Sequence, residues 1–157
     1  NQYSRFEPCM AAFLSHRECW KKAIELDEPV LVLEHDAVFT APLPKININF
    51  KVISFGKPSY GMYRASNKEG FFTAFSKPGG YLPGAHGYLV SPRGAKILVE
   101  KSYTHAEPTD IYLKKDNFPW LTEYYPWPIM ADDSFSCIQL DEGCKAKHNY
   151  DKGIDII

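Results

Sequence analysis

The stretch Val30-Leu31-Val32-Leu33-Glu34-His35-Asp36 decides how the rest of this chain is read. Four apolar residues in a row leave no polar face. The segment is therefore expected to be a strand covered on both sides, as in a parallel sheet with helices on each face. The run stops at Glu34, and a second carboxylate follows two positions later. Open α/β sheets hold their ligands at this carboxyl end of their strands. Hard divalent cations such as Mn²⁺ or Mg²⁺ take oxygen ligands and keep part of their shell for phosphate oxygens. Glu34 and Asp36 are thus candidate metal ligands in a cation–diphosphate clamp. A solvated turn ending the strand is the plain alternative.

Upstream, Pro8 to Leu26 has helical periodicity. Phe13, Trp20 and Ile24 fall at i, i+7 and i+11 with Met10 and Leu14 beside them, and Arg17, Glu18, Lys21, Lys22 and Glu25 take the other side. Pro8 suits a first helical turn, and Glu7 suits the positive end of the dipole. Asp27-Glu28-Pro29 breaks the helix. A helix, a break and a buried strand make half of a βαβ unit, whose first strand would precede Asn1. Downstream, Phe50 to Phe55 reads as a strand ended by Gly56, and residues 56–82 as a long aromatic-rich loop with room for a hairpin. Gly87 to Val90 reads as a third strand. Ser91 and Pro92 then supply the N-cap and first residue of a helix reaching Lys101. A short helix is expected over Pro108–Lys115, and a proline-punctuated extended segment over Thr122–Met130. The expected fold is α/β, with a mixed, mainly parallel sheet flanked by helices. Residues 1–140 form the working domain and 141–157 a polar tail.

Four pieces of the sequence occur in a familiar order. Ser15-His16 with Trp20 lies on the helix directly before Val30-Leu31-Val32-Leu33-Glu34-His35-Asp36-Ala37. Gly84-Ala85-His86-Gly87-Tyr88-Leu89-Val90-Ser91 continues to Ala95-Lys96, and Pro108-Thr109-Asp110 is followed by Tyr112-Leu113. Together they resemble glycosyltransferase family 25 over roughly residues 6–139. That resemblance implies a GT-A-like, Rossmann-type fold, here lacking the family's first strand and helix. It implies transfer, with inversion, of a hexose such as galactose from a UDP-sugar to a hydroxyl of a saccharide or glycoconjugate, as in lipopolysaccharide biosynthesis. Mn²⁺ (or Mg²⁺) would be held by Glu34 and Asp36. One departure is that His35 stands where the family generally has Asp.

Inverting transfer needs a general base for the acceptor hydroxyl, and carboxylates suit that role. Asp110 is the first candidate, with a dipole-favoured helix-start carboxylate as its alternative. Asp133, in the pair Asp132-Asp133, is the second, with a solvated turn as its alternative. Ser15, His16, Gly84, His86 and Tyr88 are the candidate substrate-binding residues. The glycines around His86 allow close backbone approach to a ligand, while a histidine near Trp20 can equally be a packed core residue. Tyr60, Tyr63, Phe71, Phe72 and Phe75 offer an acceptor platform, or simply pack their loop on the sheet.

The remaining features mostly exclude. The 157 residues carry a net charge of −1, which gives no electrostatic case for nucleic acid or an anionic membrane. No apolar run nears the ~20 residues of a membrane span, and no signal peptide is visible. Cys9, Cys19, Cys137 and Cys144 contain no CxxC pair, so they do not read as a zinc site. Cys137 and Cys144 can close a small loop or remain buried thiols. The resemblance implies a cytoplasmic location for bacterial-type members and the secretory lumen for animal-type ones. The competing reading is a non-catalytic relative that binds carbohydrate or serves a structural role. A metal-dependent hydrolase would need a Gly-rich phosphate loop or nucleophile motif, and neither is present.

Overall fold

Helix α1 (Phe6–Leu26) buries Phe13, His16, Trp20 and Ala23 on one stripe, while Leu14 is 43% exposed on its flank. The spacing of these buried positions is that of one face of a 3.6-residue helix. Asp27, at a left-handed φ of 53°, turns the chain out of the helix, and β1 (Val30–Leu33) follows. The computed structural model describes residues 6–59, 62–82, 85–132 and 155–156.

The remaining elements are β2 (Ala37–Phe39), β3 (Val52–Ser54), β4 (Arg64–Ala65), β5 (Gly70–Thr73), β6 (Gly87–Val90), α2 (Pro92–Ser102), α3 (Thr109–Tyr112), β7 (Thr122–Tyr125), β8 (Ile129–Ala131) and β9 (Asp155–Ile156). Five of the strands form a mixed sheet in the order β1-β6-β3-β7-β5. β1 and β3 both run antiparallel to β6, and β5 runs antiparallel to β7; β3–β7 is the parallel pair. The mixed α/β class agrees with the sequence, but the expected mainly parallel sheet does not: antiparallel ladders dominate. Two further pairs lie off the sheet, β2 antiparallel to β8 and β4 parallel to β9.

β1 is apolar on both faces, as its sequence required, yet among the described residues helices cover only one of them. Side chains alternate across the sheet with the period of two that strands impose. Val30, Val32, Val52, Tyr88 and Val90 pack with Phe13, Trp20, Leu98 and Tyr112 from the helices. Leu31, Ile53, Phe55 and Leu89 pack on the opposite side with Ile129, Tyr124, Leu43 and Ile46. That second cover comes from β8 and the loop after β2, not from a helix. β1 also sits at the end of the strand order, where Leu33 is 42% exposed. Among the described residues of 56–82 no hairpin forms, since β4 and β5 pair with distant strands.

Helix α2 begins as read from Ser91-Pro92. Ser91 Oγ accepts the Gly94 amide at 3.1 Å, and the Ser91 amide donates to the Lys51 carbonyl at 2.9 Å. Gly94 has no room for a side chain, because an added Cβ would lie 2.2 Å from the Lys51 carbonyl oxygen.

Candidate functional site

At the end of β1 the Glu34 amide donates to the His86 carbonyl at 3.0 Å, so the ladder with β6 runs one residue past the strand. The Ala37 amide then returns to the Glu34 carbonyl at 3.1 Å and closes a tight turn through His35 and Asp36. β2 leaves this turn paired with β8, and the Asp132 amide donates to the Asp36 carbonyl at 2.8 Å. The acid-x-acid triplet is therefore clamped on one side by β6 and on the other by the segment carrying Asp132.

The two carboxylates differ in character. The Glu34 side chain is 38% exposed, and its Oε1 lies 3.1 Å from His16 Nε2. Burial pushes Glu34 upward, but its hydrogen bond with His16, helped by the nearby His86 and His35, holds it below the ordinary glutamate value. Asp36 moves the other way: burial raises it, and the negative charge of Glu34 adds to the rise. Its Oδ1 is buried without a hydrogen-bond donor among the described residues. A bare carboxylate oxygen beside a second carboxylate is a place that a cation relieves. Among the described residues no group of three or more His, Cys, Asp or Glu side chains could hold a metal. The pair thus fits a cation whose remaining ligands are water and phosphate oxygens, and does not fit a metal caged by protein alone.

Asp110 stands in the first turn of helix α3. Helix α3 packs against α1 through Tyr112, which is edge-on to Phe13 at 5.0 Å and stacked on Trp20 at 5.5 Å. Asp110 is pushed up to about 6, chiefly by burial and then by the Glu34 charge, against the pull of the Ile111 amide 3.0 Å away. Glu34 is thus the carboxylate whose charge reaches Asp110.

The other expected residues divide. His16 is 6% exposed and bonds to Glu34 directly. His86 is 1% exposed and reaches the triplet through its backbone carbonyl, which accepts the Glu34 amide. Tyr88, expected to touch substrate, is 1% exposed; its hydroxyl serves His16 Nδ1 at 2.9 Å and Trp20 Nε1 at 2.8 Å. The Ser15 hydroxyl faces out and donates to Ala11 of its own helix at 3.0 Å. His35 is exposed in the turn. Gly84, Asp133, Tyr60, Cys137 and Cys144 lie outside the described residues. The Cys19 thiol is free and half-buried.

An aromatic group stands next to β8. Trp127 stacks on Phe75 at 6.3 Å and meets Tyr63 and Tyr125 edge-on at 5.6 and 4.9 Å; Phe72 leans on Phe75 at 5.4 Å. Tyr63 is buried, and Phe71 packs on Tyr124 in the core. Phe72, Phe75, Tyr125 and Trp127 remain half-exposed. Glu123, 1% exposed, organises them: Oε2 accepts the amides of Phe75 and Ser76 at 3.0 and 3.1 Å, and Oε1 accepts Trp127 Nε1 at 2.9 Å. Sequence reading missed Glu123 and the Tyr88–Trp20 link. A lone acid inside the aromatic strand Thr122–Tyr125 was the available signal for the first.

No helix among the described residues is long and apolar enough to cross a membrane. Residues 8–57, which contain His16, Glu34 and Asp36, match the family model of glycosyltransferase family 25 (LPS biosynthesis protein). That match points to a transferase with a sugar donor and an acceptor. No curated protein and no solved structure matches the chain.

Proposed function

We propose that this chain is an inverting hexosyltransferase that moves a sugar, galactose in the simplest case, from a UDP-sugar to a hydroxyl of a saccharide or glycoconjugate. The observation that carries this reading is the unlike settings of three carboxyls: Glu34 lowered and Asp36 raised in the turn after β1, and Asp110, on α3 and within reach of the Glu34 charge, at about 6. Environments that push titratable groups apart are how a site separates charge binding from proton transfer. The family match over residues 8–57 supplies the reaction class.

Asp110 suits the base. A carboxylate near 6 is ionised at neutral pH yet holds a proton more firmly than an ordinary aspartate. In the proposed step the acceptor oxygen forms its bond to the anomeric carbon as the bond to the diphosphate breaks. Asp110 takes the acceptor's proton, and UDP departs with the bonding pair. A single displacement of this kind inverts the anomeric centre. Glu34 and Asp36 would hold a divalent cation, Mn²⁺ or Mg²⁺, which when bound neutralises charge on the diphosphate. The half-exposed rings of Phe72, Phe75, Tyr125 and Trp127 offer flat apolar surface for an acceptor sugar.

The test is calorimetric titration of Mn²⁺ with and without UDP, paired with an assay of sugar transfer from UDP-galactose and other UDP-hexoses. Mn²⁺ should bind tightly only with UDP present, and Asp36→Ala should lose that binding. Equal Mn²⁺ affinity in both titrations, with no UDP released from any donor, would replace this reading with the non-catalytic one.

A further inference from the structure

Four side chains from three elements form one hydrogen-bonded row ending on Glu34. Trp20 Nε1 donates to Tyr88 Oη at 2.8 Å, Tyr88 Oη lies 2.9 Å from His16 Nδ1, and His16 Nε2 lies 3.1 Å from Glu34 Oε1. The indole N–H can only donate, and an ionised carboxylate can only accept. Both ends of the row are therefore fixed. Tyr88 accepts from Trp20 and keeps its own hydrogen for His16 Nδ1. His16 Nε2 must then carry the hydrogen that reaches Glu34. A doubly protonated ring would make Tyr88 accept twice and leave its own hydrogen without an acceptor in the row. Burial also holds Tyr88 well above its ordinary value, so the hydroxyl keeps the proton it donates.

The row is dry along its length and wet at its tip. Trp20, Tyr88 and His16 are 0%, 1% and 6% exposed, and the Glu34 side chain is 38% exposed. The rings of His16 and Tyr88 also lie nearly parallel, 5.7 Å apart, which resists rotation of the imidazole. Among the described residues the hydrogen bonding of Glu34 falls on Oε1, leaving Oε2 for a ligand.

We propose that Tyr88 and Trp20 are positioning residues for Glu34, acting through His16, which their hydrogen bonds fix as the Nε2–H tautomer. This deepens the transferase reading and rests on it for its consequence in turnover. Its structural content stands apart, because the direction of the row follows from donor and acceptor chemistry alone.

The experiment combines long-range ¹H–¹⁵N spectra of the histidine-labelled full chain with kinetics of Tyr88→Phe. The wild type should show His16 as the Nε2–H tautomer with Nδ1 accepting. Tyr88→Phe should lose the accepting signature at Nδ1 and lower kcat roughly tenfold or more, the scale of one charge-linked hydrogen bond, with a smaller change in donor KM. Tyr124→Phe is the control. It removes a comparable tyrosine hydrogen bond, 2.6 Å to Glu69 Oε1, and should change neither the His16 spectrum nor kcat. Should Tyr88→Phe fail to fold, Trp20→Phe takes its place, with the same direction and a smaller effect. An Nδ1–H or doubly protonated His16 in the wild type overturns the proposal. So does a folded Tyr88→Phe enzyme with wild-type kcat. If the wild type transfers no sugar while His16 has the expected tautomer, the transferase reading falls and the positioning row stands.

Discussion

As the proposed base, Asp110 would set stability against chemistry within one side chain. Its carboxyl is held at about 6, against 3.8 for an ordinary aspartate, chiefly by burial. A folded-state value above the unfolded one means the native protein binds the extra proton. The contribution of Asp110 to stability is therefore most favourable below about 4, declines as pH rises toward 6 and then levels off. The full cost at neutral pH is on the order of 3 kcal/mol at most. Asp110→Asn should remove this decline and be the more stable protein at pH 7, while kcat falls by ~10²–10⁴ through loss of the base. Thermal melts across pH 4–8 beside kinetics at the same pH values read both effects. A melting temperature lowered at pH 7 would mean that Asp110 is a helix-start carboxylate and nothing more. At this scale the sequence was informative where chemistry is local. Glu34 and Asp36 stand two positions apart, and one glance pairs them. The link from Tyr88 to His16 spans most of the fold, and no spacing rule reaches that far. Asp36's upward shift was equally hidden, because it depends on which atoms bury it.

Elements bounded by strong punctuation were legible, and their pairing directions were not. Val30–Leu33 lies between Pro29 and Glu34, and Gly87–Val90 ends at the Ser91-Pro92 cap, so both strands have the ranges their sequences suggested. Whether two such strands run parallel depends on the path between them, which a double-sided apolar run does not encode. The same run accepts a helix or a β-ribbon as cover, and here it received one of each. The start of α2 gives the test at this scale. Alanine is a better helix former than glycine by roughly 1 kcal/mol, so Gly94→Ala gains in propensity. Against that gain, its new Cβ would lie 2.2 Å from the backbone oxygen of Lys51, a group that cannot swing aside. Overpacking of this kind costs ~1–3 kcal/mol, and the same shift strains the Ser91 cap. Gly94→Ala should therefore lower the urea midpoint, and a raised midpoint would show that the helix start slides freely over β3.

For the molecule as a whole, β8 is the piece that joins the site to the core. Ile129 is fully buried, and its side chain fills the space a Cβ on Gly87 would need, at 2.7 Å. Through β2 it also anchors the turn that holds Asp36. Ile129→Ala should cost ~2–5 kcal/mol, measured by denaturant unfolding, and weaken UDP-dependent Mn²⁺ binding together with stability. Val38→Ala, at a 42% exposed position of the same ribbon, should stay within about 0.5 kcal/mol. The bond between Asp132 and Asp36 has a further consequence in the order of synthesis. A ribosome makes the acidic turn well before the strand that closes it. Until β8 emerges, a nascent chain carries Glu34 and Asp36 with no partner across the turn. Contacts between such distant positions form slowly, so the turn should take its closed form only once β8 has left the ribosome.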